Sequence, residues 1–185
     1  MGQIIILPVG MVDEKILKVV ADALPKILKG CSVIISDYRI LNLLPAYNPV
    51  RRQYLSTKIL AEIREYIGRT RLISDEEDRL LGITDVDLYA AGFNYVFGEA
   101  SYTEGVAVIS IYRLRPEFYG DIPNEKLLHE RIIKESVHEL GHAFGLKHCS
   151  IPSCVMYFSS HILMTDKKGP GFCQGCRRKL NSVVL

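Results

Sequence analysis

The sequence predicts an α/β fold of the α+β kind, a mixed, twisted β-sheet with flanking helices. Three observations predict it. Two apolar runs near the N-terminus bracket one amphipathic helix, the pattern of a βαβ start. Several strand-like segments then follow one another between residues 80 and 112. After residue 120 a long helix gives way to loops rich in glycine, proline and cysteine. The 185 residues, 48% hydrophobic and 24% charged, have the composition of a globular protein and not of a disordered or fibrous one. A chain of this length can hide about 70% of its unfolded surface. With no internal repeat and no low-complexity linker, residues 1–185 read as a single domain.

Residues 3–8 form an apolar run ending at Pro8-Val9-Gly10, a buried strand. Asp13 can cap a helix that carries Ile16, Val19, Val20, Ala23, Leu24 and Ile27 at helical spacing, and Gly30 stops it. Ser32 to Ser36 reads as a second buried strand. A polar stretch around Asn48-Pro49 leads to another helix, with Leu55, Ile59, Ile63, Tyr66 and Ile67 on one face and Gly68 after it. Strand-like segments lie near 80–89, 94–98 and 105–112. Asn124 is a cap for the next helix, with Glu125 in its positive first turn. There Ile133, Val137, Leu140 and Phe144 make one buried stripe, and Gly145 ends the helix. A short basic helix begins at about Gly175. Residues 1–120 thus form a sheet-and-helix part, 121–148 a helix and turn, and 149–185 a cysteine-bearing lobe. That lobe is so poor in regular structure that it needs another source of stability, such as bound metal.

Charge and hydropathy exclude some classes of function. Lysine plus arginine number 23 against 21 acids, a net charge of +2. So small an excess argues against a generic nucleic-acid binder. No apolar run approaches the length of about 20 residues that crosses a bilayer. The opening Met1-Gly2-Gln3-Ile4-Ile5-Ile6 has no charged leader, no small-residue cleavage site and no Ser or Thr at the sixth position. The expected location is the cytoplasm. There, clustered cysteines are more often metal ligands than disulfides.

Residues 138–142 read His-Glu-Leu-Gly-His. On a helix His138 and His142 differ by about 40° around the axis, one turn apart, so both imidazoles point the same way. The turn at Gly145 can return His148 to the same ion. Three histidines leave the fourth position of a tetrahedral zinc open for water, as in a catalytic site. Zinc lowers the pKa of that water to about 7, and a neighbouring carboxylate then takes its proton. Glu139 flanks the metal without ligating it, the place of a general base. A bare HExxH recurs by chance on solvated helices. The extended pattern, five fixed residues within eleven, arises by chance in on the order of 1 in 10⁴ chains of this size. Cys149, Cys154, Cys173 and Cys176 make a four-thiolate set, the composition of a closed structural zinc site. Two disulfides, in three possible pairings, are the alternative. A structural zinc at Cys149 would anchor the loop that holds His148.

The run His138-Glu139-x-x-His142-x-x-Gly145-x-x-His148 is the long zinc signature of the metzincin metallopeptidases. Its continuation through Cys149, Cys154-Val155-Met156 and Cys173-Gln174-Gly175-Cys176 resembles the archaemetzincins. The resemblance is close over residues 138–176 and holds in outline for the first 120. It implies a metzincin-like catalytic domain with two zinc ions per chain, one catalytic on His138, His142 and His148 and one structural on the four cysteines. It makes Glu139 the base and Met156 the methionine of the turn beneath the metal. Some metzincins carry a tyrosine two residues beyond that methionine. Here Tyr157 follows it directly, which weighs against Tyr157 as a ligand or oxyanion donor.

The leading functional expectation is a zinc-dependent peptidase acting on peptides or proteins, its zinc-bound water activated by Glu139. A non-catalytic two-zinc module that binds protein or RNA is the rival, and hydrolysis of another carbonyl substrate a third reading. Weaker signals have plain explanations. Asp85 and Asp87 share a strand face and could bind a cation, but suit a surface or turn. Arg177-Arg178-Lys179 suits a solvated helix face better than a phosphate site. His129 and His161 lack ligand spacing, and Cys31 reads as a buried small hydrophobe. The segment Phe93–Tyr102 could offer a sheet edge to an extended peptide.

Overall fold

A computed structural model describes residues 2–70 and 77–183. β1 (Gln3–Val9), α1 (Glu14–Ile27) and β2 (Ser32–Ile35) form a right-at-the-start βαβ unit whose strands pair in parallel, Ile4 opposite Val33. Asp13 caps α1 by accepting from the Lys15 amide at 2.9 Å. Two short strands follow, β3 (Tyr47–Asn48) and β4 (Gln53–Leu55), then α2 (Ser56–Thr70). β5 (Arg79–Thr84), β6 (Leu88–Tyr89), β7 (Gly98–Ser101) and β8 (Val106–Ser110) come next. The chain closes with α3 (Glu125–Ala143), α4 (Ile162–Lys167) and α5 (Gln174–Val183).

The main sheet has the order β2-β1-β5-β8-β7. Its strands are parallel except β7, which runs antiparallel to β8 and forms an edge. A second sheet orders β3-β4-β6. Side chains of β1 alternate between two cores. Ile4 and Ile6 meet Leu17, Leu24, Val137 and Leu140 on the α1 and α3 face. Ile5, Leu7 and Val9 meet Ile59 and Ile63 of α2 on the other. A strand covered on both faces must be apolar at every position, which is why β1 reads as an unbroken run.

The structure corrects several sequence-based bounds. β2 is an edge strand, with Ile34 and Ile35 40% and 39% exposed, and not a buried one. The run 80–89 breaks after Thr84, and Leu88–Tyr89 pairs instead with β4 in the second sheet. Ionic contacts make the break. Arg113 forks onto Asp87 at 2.6 and 2.7 Å, and Arg115 meets Asp85 at 2.8 Å. Those two acids are structural partners of arginines. The expected strand at 94–98 lies later, at β7, because 94–97 is a loop held by Arg51, which donates to the Asn94 carbonyl at 2.9 Å. β8 stops at Ser110, and a 3-10 turn takes Tyr112–Leu114. Gly68 lies inside α2 and does not stop it. In α3 the deepest early residue is Ile132, with Ile133 half-buried beside it. Among the described residues no helix is long and apolar enough to cross a membrane.

Candidate active site

α3 is the element that positions the site. Asn124 caps it, accepting from the Leu127 amide at 3.0 Å, and Glu125 complements the positive end of the helix. Val137, Leu140 and Ala143 press into the core, so the opposite face carries His138 and His142. The helix ends at Phe144, where Gly145 takes a left-handed φ of 90°. The Tyr102 ring lies where a β-carbon on Gly145 would sit, 2.7 Å from its nearest ring atom. Both demands call for glycine there. The chain then doubles back and brings His148 to the other two rings.

The three imidazoles face one centre. Ring centroids of His142 lie 4.7 Å from both His138 and His148, and those of His138 and His148 are 5.4 Å apart. His138 donates through Nδ1 to the Val155 carbonyl and His142 through Nδ1 to the Leu146 carbonyl, each at 2.7 Å. Carbonyls only accept, so these bonds fix the tautomers and leave both Nε2 atoms as lone pairs. The two Nε2 atoms are only 3.1 Å apart. Facing lone pairs at that distance repel unless a cation lies between them. Burial, then the nearby Lys168 charge, hold His138 well below the ordinary imidazole pKa, and burial lowers His142 and His148 too. The site is a set of neutral nitrogen donors, which suits zinc.

Glu139 is buried between α3 and the edge strand. Burial first, then Glu135 and Glu99, push its carboxyl well above the usual range. It fits only because position 98 has no side chain. A β-carbon on Gly98 would lie 2.6 Å from Glu139 Cγ and 2.7 Å from the Val108 carbonyl oxygen. Gly141 plays a matching part on the next turn, since a β-carbon there would overlap the Met156 sulfur. Met156 is fully buried against Gly141.

The four clustered cysteines also converge, their sulfurs within 4.8 Å of one another. They are thiols, and Cys149 and Cys173 stand 3.8 Å apart. That is the edge of a tetrahedron with metal–sulfur bonds of about 2.3 Å. Backbone amides of Cys173, Ile151 and Cys176 point at the sulfurs of Cys154, Cys149 and Cys173, at 3.3 to 3.5 Å. The Cys176 amide is the main reason Cys173 is lowered to about 7, whereas burial raises Cys154 and Cys176. The donor set fits a thiolate-bound zinc.

A cavity of about 600 Å³ opens beside the histidines. Its walls are the 93–100 segment, the turns of α3 bearing Glu135 and Glu139, and Phe158 to Ser160. Tyr95 donates its hydroxyl to the Ser160 carbonyl at 2.9 Å, joining the two sides. The Phe158 ring packs on His148 at 5.0 Å. Tyr157 is absent from these walls. It turns its backbone to the thiol lobe, bridging Cys149.

Comparison with known proteins places the chain in a family. Residues 1–182 match the model of peptidase family M54. The chain belongs to that family. An archaemetzincin of Thermococcus kodakarensis is 45% identical over 183 residues, 97% of this chain and 96% of its own. The crystal structure of a zinc-dependent peptidase from Methanocorpusculum labreanum superposes with a TM-score of 0.88 at 32% identity, covering 96% of this chain and all of that one. The crystal structure of an archaemetzincin from Methanopyrus kandleri does so with 0.81 at 35% identity, covering 100% and 95%. Membership makes the chain an archaemetzincin-type metallopeptidase with a mixed α/β fold.

The histidine and cysteine sets expected from spacing are thus each brought together, with Glu139 and Met156 beside the first. His129 is half-buried and His161 exposed, and neither belongs to a metal-holding group among the described residues. Arg177 donates to the Ile27 carbonyl at 2.6 Å, binding α5 to α1. Cys31 is half-buried and gives its thiol to the Leu28 carbonyl. Sequence reasoning misses Gly98, Glu135, Phe158 and Lys168. None of these four belongs to a spacing motif.

Proposed function

We propose that the chain is one metallopeptidase domain that hydrolyses peptide bonds with two zinc ions per chain. His138, His142 and His148 would hold the catalytic ion, and Cys149, Cys154, Cys173 and Cys176 the structural one. The observation that carries this reading is the pair of Nε2 lone pairs facing each other at 3.1 Å. When bound there, zinc supplies a Lewis acid that activates water near neutral pH and polarises a carbonyl.

The chain's own residues supply the remainder. Glu139, held in a dry slot between α3 and Gly98, accepts the proton of the attacking water and delivers it to the leaving amine. Burial in the metal-free site favours its protonated form, the form that gives a proton to the amine. Among the described residues β7 has an unpaired edge beside the cleft, and an extended peptide can add there as a further strand. Met156 under Gly141 keeps the floor of the site rigid. Tyr157 takes no part in the proton path.

The test is cleavage of a diverse peptide mixture, read by mass spectrometry, with zinc content measured in parallel. Wild type should release products, and Glu139→Ala should bind the same zinc and release none. Equal turnover by that variant would remove Glu139 from the mechanism. No products from zinc-loaded wild type, joined to salt-sensitive binding of RNA, would favour the binding module instead.

A further inference from the structure

Lys168 is a buried charge for which the hydrolytic mechanism has no use. It is 1% exposed, directly after α4. Two clamps put it there. Arg131 of α3 forks onto Asp166 at 2.7 and 2.8 Å, and Lys134 donates to the Thr165 and Asp166 carbonyls. The Lys168 ammonium then lies 2.9 Å from Glu135 Oε1 and 3.5 Å from His138 Nδ1. Thr165 gives its hydroxyl to the same Glu135 oxygen at 3.0 Å.

The contact with His138 is not a hydrogen bond. Nδ1 already donates to the Val155 carbonyl, and an ammonium can only donate. Two hydrogen-bearing nitrogens therefore face each other, an arrangement that costs free energy. A metal-binding histidine normally gives its second N–H to an acceptor, often a carboxylate, which makes the ring a stronger donor. Glu135, one turn before Glu139, is the acid within reach. Lys168 and Thr165 both hold its Oε1, and the positive charge takes the place beside the ring.

We propose that Lys168 is a positioning residue that keeps the Glu135 carboxylate away from His138 and withholds electron density from that ligand. The pair sums to zero charge, with its positive end nearest the ring. A metal on the three histidines is thereby bound less tightly and stays a stronger Lewis acid. The inference rests on reading the histidines as a metal site.

The experiment is Co²⁺ titration of the full chain by chelator competition. The thiolate site announces itself by an intense near-ultraviolet charge-transfer band, and the imidazole site by weak visible bands alone. Lys168→Met should bind Co²⁺ at the imidazole site about tenfold tighter or more, and Glu135→Gln weaker by a similar factor. The double variant, neutral at both positions and safe from an unpaired buried charge, should return to within about threefold of wild type, as should Lys168→Arg. A merely structural role predicts weaker binding in every variant, and that result, or an unchanged Lys168→Met, overturns the inference. Absence of a visible imidazole-site spectrum in wild type would overturn the metal-site reading itself.

Discussion

Gly98→Ala adds a single methyl group at the wall of the site, and the structure says what must move. The new carbon would stand 2.6 Å from Glu139 Cγ, 2.9 Å from Glu139 Cδ and 2.7 Å from the Val108 carbonyl oxygen. Ordinary carbon contacts are about 3.5–4.0 Å, so about 1 Å must be recovered. Val108 is in the β8 ladder, fully buried and paired with β7 at Glu99. It cannot retreat. The backbone at residue 98 and the side chain of Glu139 must give way instead, and part of the displacement falls on the residue proposed as proton acceptor. A misplacement of about 1 Å costs on the order of 10²-fold in rate. Overpacking of a filled site also costs about 1–3 kcal/mol of stability. Peptide hydrolysis should therefore fall about a hundredfold in kcat/KM, with zinc content unchanged because Glu139 ligates nothing. Hydrolysis within a factor of about three of wild type would show that Glu139 need not occupy this slot, and the proton-transfer geometry would have to be abandoned.

Two further outcomes follow from the same geometry. Gly141→Ala drives a methyl into the Met156 sulfur and leaves 3.3 Å to the Phe172 ring, so thermal unfolding should shift down by several degrees for a cost of about 1–3 kcal/mol; a melting temperature equal to wild type would mean that Met156 packs elsewhere. In the zinc-free protein, burial disfavours the charged form of His138, His142 and His148, so protons add only below the ordinary imidazole value of about 6.5. Their ring resonances should titrate with midpoints on the acid side of it, and zinc affinity should stay level from pH 8 to 6.5 before it falls; midpoints above 6.5 would contradict this desolvation.

How much of this is legible in the sequence depends on how far apart the cooperating residues lie. His138, His142 and His148 are set by one helix and one turn, and local geometry alone brings them together. β1 is legible because two covered faces force an unbroken apolar run, and α1 because Asp13 and Gly30 mark its limits. β7 is hidden for the opposite reason. Gly98-Glu99-Ala100-Ser101 has no strand pattern, since its glycine answers to Glu139 on another element. The 80–89 run looks continuous because nothing local reveals that Arg113 and Arg115, far along the chain, will fold the two aspartates outward. Lys168 reads as one more surface lysine. The 35-residue leap from Arg131 to Asp166, with Lys134 on the Thr165 and Asp166 carbonyls, drives it into the interior.

The tripeptide Cys154-Val155-Met156 explains why a loop-rich lobe can serve a rigid site. Cys154 puts its sulfur among the four thiols. The Val155 carbonyl orients His138 at 2.7 Å, and its amide is held by the Gly171 carbonyl at 2.9 Å. Met156 fills the space left by Gly141, and its carbonyl accepts from the Cys149 amide at 2.9 Å. Cys154 is thus one peptide unit from the carbonyl that orients His138, and Cys149 directly follows His148. Helix α3 alone can aim the imidazoles, but only to the precision of free side-chain torsions. The hydrogen bond from His138 Nδ1 to the Val155 carbonyl removes that freedom, and its acceptor is as well placed as the segment that carries it. A lobe with little hydrophobic core of its own would gain that placement from bonds to the proposed structural ion more readily than from packing.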